Sequence, residues 1–73
     1  MNEIEKRYYS ILEENELNNI LLKDYDSIDV LNLIMSLELE FGVHFDDDTF
    51  FALTKINSHK VIIDYINTLL NGK

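Results

Sequence analysis

The chain has 73 residues, of which 47% are hydrophobic and 27% charged, with no proline, no cysteine and only two glycines, Gly42 and Gly72. Such a chain can build one small core and favours helices, because a β-rich chain needs more turn formers. The formal net charge of −8 disfavours nucleic acid and anionic membrane, and the lack of cysteine excludes disulfides, cysteine-ligated zinc and a cysteine nucleophile. No apolar run is long enough to span a bilayer and no basic-then-apolar leader opens the chain, so a cytoplasmic protein with a single domain over residues 1–73 is expected.

In chain order, residues 2 to about 14 read as a first helix. Ile4, Tyr8, Ile11 and Leu12 recur at helical spacing, with Glu3 and Glu5 in the first turn. Residues 15–25 follow as a loop broken by Asn15, Asn18 and Asn19. Its Leu17, Ile20, Leu21 and Leu22 are too apolar for a free linker, so the loop is expected to be pinned to the core, with room for one helical turn.

The second helix runs from about Ser27 to Phe41 and stops at Gly42, a favourable C-terminal residue. At about 100° per residue, Val30, Leu33, Ile34, Leu37 and Phe41 share one arc, the core face, while Asp29, Asn32, Ser36 and Glu40 lie on the polar side. Ile28, Leu31, Met35 and Leu39 make a second apolar stripe roughly opposite the first. The loop or first helix is expected to cover part of it: burial is the reading for Leu31, and docking of a partner the reading for Met35 and Leu39.

Val43 and Phe45 then plug into the core, and Asp46-Asp47-Asp48-Thr49 opens a short third helix carrying Phe50, Phe51 and Leu53. Ser58 caps a last helix whose Val61, Ile62, Tyr65, Ile66, Leu69 and Leu70 form the buried stripe, and Asn71-Gly72-Lys73 ends it. The fold class is therefore all-α, with three longer helices and a short third one.

Two chemistries fit poorly. An EF-hand register over Asp24, Asp26 and Ile28 puts isoleucine at an oxygen-ligand position and Asp29 where glycine is required, so no metal site is assigned. A Ser-His-Asp site has little room in so small a bundle, and His44 and His59, the two histidines, fall at loop or cap positions and read as surface or interfacial groups. What stands out is Asp26-Ser27-Ile28-Asp29, a serine at a helix start between acids. A helix N-terminus offers unpaired N–H groups and a positive dipole end, a good seat for a phosphate ester. Eight acids and no Lys or Arg fall between residues 24 and 54, which favours a docking face for basic protein surfaces.

Asp26-Ser27-Ile28-Asp29, with Leu33-Ile34-Met35 and Glu38-Leu39-Glu40-Phe41 behind it, resembles the attachment helix of acyl carrier proteins. Phe41-Gly42-Val43-His44-Phe45-Asp46-Asp47 resembles that family's Phe-x-x-x-Ile-Pro-Asp/Glu turn into the third helix. Lys55-Ile56-Asn57-Ser58 and Ile63-Asp64-Tyr65-Ile66 resemble its Lys-Ile-x-[Thr/Ser] cap and Ile-Asp-Tyr-Ile segment. The resemblance spans essentially the whole chain and implies an acyl-carrier-like four-helix bundle that is a carrier rather than an enzyme, with no catalytic residue.

It further implies 4′-phosphopantetheine on Ser27, attached from coenzyme A by a phosphopantetheinyl transferase, with Asp26 as cap and transferase contact. The thiol would hold acyl thioesters for acyl-loading and acyl-processing enzymes with basic docking patches. Asp29 and Glu38 would be acidic docking groups, and Ile28, Met35 and Leu39 the apolar docking edge, on a discrete monomeric carrier. Asn32 and Leu39 stand where acids are common in bacterial fatty-acid carriers, which points to a specialised lipid or polyketide pathway. An aminoacyl or peptidyl carrier of a non-ribosomal pathway and an unmodified helical interaction domain are the alternatives.

Overall fold

A chain with two apolar stripes on its longest helix must decide which stripe the other helices cover. The computed structural model describes residues 2–72, and Lys73, read as part of the chain end, lies outside the described residues. Four helices and no strand occur among the described residues: α1 (Glu3–Glu14), α2 (Ser27–Phe41), α3 (Asp47–Thr54) and α4 (His59–Asn71), with a 3-10 turn at Leu22–Asp24. α2 packs against α1 and α3, and α4 packs against the same two helices.

Local chemistry sets most boundaries. The Asn2 side chain accepts the Glu5 N–H at 2.9 Å and starts α1, with Glu3 and Glu5 at its positive end. Asp46 starts α3, its carboxylate taking the Thr49 N–H at 2.9 Å and the Thr49 hydroxyl at 2.8 Å. Gly42 ends α2 at φ +65°, a left-handed conformation that glycine adopts without a Cβ penalty. Ser58 stands at the N-cap of α4, as its position suggests, but its side chain makes no cap hydrogen bond. There His59, the first residue of α4, accepts or donates a 2.7 Å bond between its Nδ1 and the Tyr8 hydroxyl, so α4 is fastened at its start to α1.

The core face of α2 is buried as its periodicity predicts, with Val30, Leu33, Ile34, Leu37 and Phe41 all inward. They meet Tyr8, Ile11 and Leu12 of α1, Phe50 of α3, and Ile62, Ile63 and Ile66 of α4. Phe45 is buried edge-to-face on Phe50, with ring centroids 5.0 Å apart. Burying a large apolar side chain contributes about 1.5–3 kcal/mol, so these contacts, rather than helix propensity, hold the fold. Ile63, absent from the expected stripe of α4, is buried, while Val61, Tyr65, Leu69 and Leu70 are only half-buried. A stripe contacting both α1 and α3 is broader than one aligned on a single partner.

The loop is pinned, though by fewer residues than its composition suggests. Leu17, Leu22 and Tyr25 are buried, and the Tyr25 hydroxyl donates to the Leu17 carbonyl at 3.0 Å. Ile20 and Leu21 face outward instead. The loop therefore anchors at its ends and leaves its middle in solvent.

Leu31, expected to be buried, is 45% exposed, and this overturns the idea that loop or first helix covers part of the second stripe. The loop's Leu17, Leu22 and Tyr25 join the core, and its Ile20 and Leu21 are themselves exposed. Ile28, Met35 and Leu39 are exposed at 67%, 63% and 87%.

Candidate functional site

The start of α2 is built by two aspartates. The Asp26 carboxylate accepts the Asp29 N–H at 2.8 Å, and the Asp29 carboxylate accepts the Asp26 N–H at 3.2 Å, a reciprocal capping box with aspartate at the third helical position. Ser27, the first helical residue, is exposed and takes no part in that box. Its hydroxyl is thus free of the structural duty that a serine at a helix start usually performs, and it is presented beside the positive end of a 15-residue helix.

Behind it, Tyr25 fixes the approach of the chain. Its phenol is pushed up to about 12 by burial, with the Asp29 carboxylate adding to the effect, so it stays a neutral donor to Leu17. On the far side, the turn after α3 reaches back. The Lys55 ammonium donates to the Lys23 carbonyl at 3.2 Å and lies 3.5 Å from the Tyr25 carbonyl, while the Lys23 N–H donates to the Asn57 side-chain oxygen at 3.2 Å. The sequence reading treats Lys55 and Asn57 only as parts of a motif, because local spacing says nothing about a contact across some thirty residues.

The other predicted site residues on α2 run along the helix without converging on Ser27, with Asp29 and Glu38 on opposite flanks of the apolar stripe. Ile28, Leu31, Met35 and Leu39 follow one another at helical spacing, so about 16 Å of apolar stripe leads away from the serine. Asp29 is half-exposed and engaged in the capping box. Glu38 is also engaged: its carboxylate accepts the Phe45 N–H at 2.8 Å and lies 3.2 Å from the exposed His44 ring, which fastens the turn after α2. Glu40 is held by Arg7, whose guanidinium bonds the Glu40 carboxylate at 2.7 Å and its carbonyl at 2.8 Å and stacks 4.5 Å over the Phe41 ring. Leu21 and Ile56, both exposed, add apolar surface that the periodicity of α2 does not reveal.

Nothing in this arrangement activates the serine. His59 turns away to Tyr8, His44 pairs with Glu38, and among the described residues no group of three or more His, Asp or Glu side chains is placed to hold a metal ion. No helix of the described residues is long and apolar enough to cross a membrane. The exposed serine thus stands at the positive end of a helix, with acids around it.

No family model matches the chain, and no solved structure matches it. The chain is similar to the acyl carrier protein of Buchnera aphidicola subsp. Schizaphis graminum (strain Sg), 35% identical over an alignment 77 positions long that covers 92% of this chain and 94% of that protein.

Proposed function

The chain belongs to the acyl carrier protein family, and from that premise we propose that Ser27 carries 4′-phosphopantetheine and that the protein presents acyl groups to partner enzymes. The exposed Ser27 at the first position of α2, released from capping by Asp26 and Asp29, is the observation that carries this reading. A phosphodiester at that place lies beside the N–H groups of the first helical turn, which have no partner within the helix. The residues present therefore fit the group.

In attachment, the Ser27 oxygen forms a bond to the pantetheine-bearing phosphorus of coenzyme A. The pyrophosphate bond breaks, adenosine 3′,5′-bisphosphate leaves with the electron pair, and the serine proton passes to a base of the transferase. When bound, the group supplies the thiol that this cysteine-free chain lacks. The chain itself orients: the capping box keeps the serine at a fixed turn of α2, and the stripe of Ile28, Leu31, Met35 and Leu39 offers partners an apolar edge within an acidic surround.

Leu39 and Asn32, both exposed on α2, favour partners outside housekeeping fatty-acid synthesis, in a specialised lipid or polyketide pathway. The protein works in this reading as a cytoplasmic carrier and not as a catalyst. Treatment with a broad-specificity phosphopantetheinyl transferase and coenzyme A is expected to add one phosphopantetheinyl group by intact mass, and Ser27→Ala to abolish it. An unchanged mass, under conditions that modify a control carrier, would favour an unmodified interaction domain.

A further inference from the structure

We infer that the turn at residues 55–57 is a positioning element for Ser27, with Lys55 as its principal residue; the inference rests on Ser27 being the attachment point. The peptide unit entering α2 joins Tyr25 to Asp26, and it is held on both sides. Its N–H, from Asp26, donates to the Asp29 carboxylate, and its carbonyl, from Tyr25, faces the Lys55 ammonium at 3.5 Å. Two residues earlier, Lys23 is gripped in the same way: its carbonyl accepts from Lys55 and its N–H donates to Asn57. The Leu22 and Tyr25 side chains anchor this segment to the core, and the 3-10 turn bonds the Asp24 and Tyr25 N–H groups to the Leu21 and Leu22 carbonyls at 2.8 and 3.2 Å.

The turn is shaped for the task. Asn57 takes φ +61°, a left-handed conformation that brings its backbone round after α3, and its N–H returns to the Thr54 carbonyl at 3.1 Å. Lys55 is itself steadied, its ammonium 4.7 Å from the centre of the Phe51 ring. These contacts are solvent-accessible, apart from the part-buried one to the Tyr25 carbonyl, so they add little to global stability. Together they restrict the backbone dihedrals of residues 23–26, on which the direction of the Ser27 hydroxyl depends. Transfer to a serine needs its oxygen in line with the reacting phosphorus, and an ångström of misplacement is costly.

Lys55→Met removes the ammonium and keeps an unbranched stem of similar length. It is expected to lower kcat of phosphopantetheinyl transfer by about tenfold with KM little changed, since docking along α2 is untouched. Amide hydrogen exchange at Asp24, Tyr25 and Asp26 is expected to speed up in the same variant, with or without the group attached. Lys55→Arg restores both. Asn57→Gly, which suits φ +61° and loses only the side-chain acceptor, shifts both in the same direction and reads the effect should Lys55→Met fold poorly. Lys60→Met, which removes an equal charge from the pair with Asp64 on α4, shifts neither.

Wild-type kcat and wild-type exchange in Lys55→Met and Asn57→Gly would overturn the positioning role. So would a loss confined to KM and shared by Lys60→Met, which is the signature of net charge. A wild-type chain that takes no group while a control carrier does overturns the attachment reading itself, and is distinguishable because the exchange measurement needs no modification.

Discussion

At His59 a titratable ring is half-buried where a helix begins. Burial lowers its pKa from the usual histidine value, and its position as first residue of α4 puts it at the positive end of the dipole. The neighbouring Tyr8 phenol is raised by burial first, and then by Tyr25 and Tyr9, so it stays protonated. The Tyr8 hydroxyl and the His59 Nδ1 share a 2.7 Å bond, and the rings of Tyr8 and Tyr9 meet the imidazole edge-on at 5.5 and 5.9 Å. Protonation would put a charge on this half-buried ring, and that desolvation is what lowers its pKa. The sign follows from linkage: with the folded pKa below the unfolded one, the stabilisation is complete above the unfolded value and is lost as pH falls through the window beneath it. The thermal midpoint is therefore expected to drop as the pH is lowered from neutral through about 6.5 and below. His59→Asn, which keeps an acceptor near the Nδ1 position and does not titrate there, flattens that drop. A wild-type midpoint constant across the range would rule the coupling out. Asp46 behaves in the opposite sense to a raised acid: the Thr49 side-chain bond and then the Thr49 N–H hold its carboxyl below the ordinary value, so its cap survives until strongly acidic pH.

Along α2 the competition is between covering the second apolar stripe and leaving it for a partner. Leu39 is the sharpest case, being 87% exposed. A residue so exposed contributes almost nothing to the core, so Leu39→Glu is expected to move the thermal midpoint by no more than about 2 °C. Its effect should fall on partners. Burying leucine in a partner pocket contributes about 1.5–3 kcal/mol, whereas an ion pair at a rim contributes less than about 1 kcal/mol. Cognate enzymes should thus load Leu39→Glu more slowly, while housekeeping fatty-acid enzymes load it faster. Unchanged preference on both sides would show that this end of α2 lies outside the docking edge. The acids beside the stripe are less free than their sequence positions suggest. Glu38 holds the Phe45 N–H and keeps its charge, while the charge of Glu40 is offset by Arg7.

Over the whole molecule the charge is unbalanced, at −8, with eight acids and no Lys or Arg between residues 24 and 54. Relief comes from outside that stretch: Arg7 pairs with Glu40 at 2.7 Å, and Lys55 lies against the loop before α2. The remaining carboxylates are exposed or half-exposed and repel one another across solvent, a repulsion screened within about 10 Å at 0.1 M salt. The thermal midpoint should rise as salt increases from about 20 to about 150 mM, and further with millimolar divalent cations. A midpoint that is flat or falls over that range would mean that the acidic face is not under strain.

What the sequence determined by itself was local. Helix starts at Asn2, Asp26 and Asp46, the stop at Gly42 and the core arc of α2 all follow from contacts within four residues and from a 3.6-residue period, which act before any tertiary contact forms. The family resemblance was legible for a related reason: its three segments carry caps, turns and a serine at set spacings. The tertiary structure alone decided what lies far apart in the chain. Leu31 is exposed while Leu17, Leu22 and Tyr25 of the loop join the core. His59 turns inward because Tyr8, fifty-one residues away, offers a hydroxyl at 2.7 Å. Lys55 reaches the backbone before Ser27 because packing of α3 on α2 brings the turn after α3 to that loop. In each case the partner is chosen by where a distant element comes to rest, and periodicity along one helix carries no record of that.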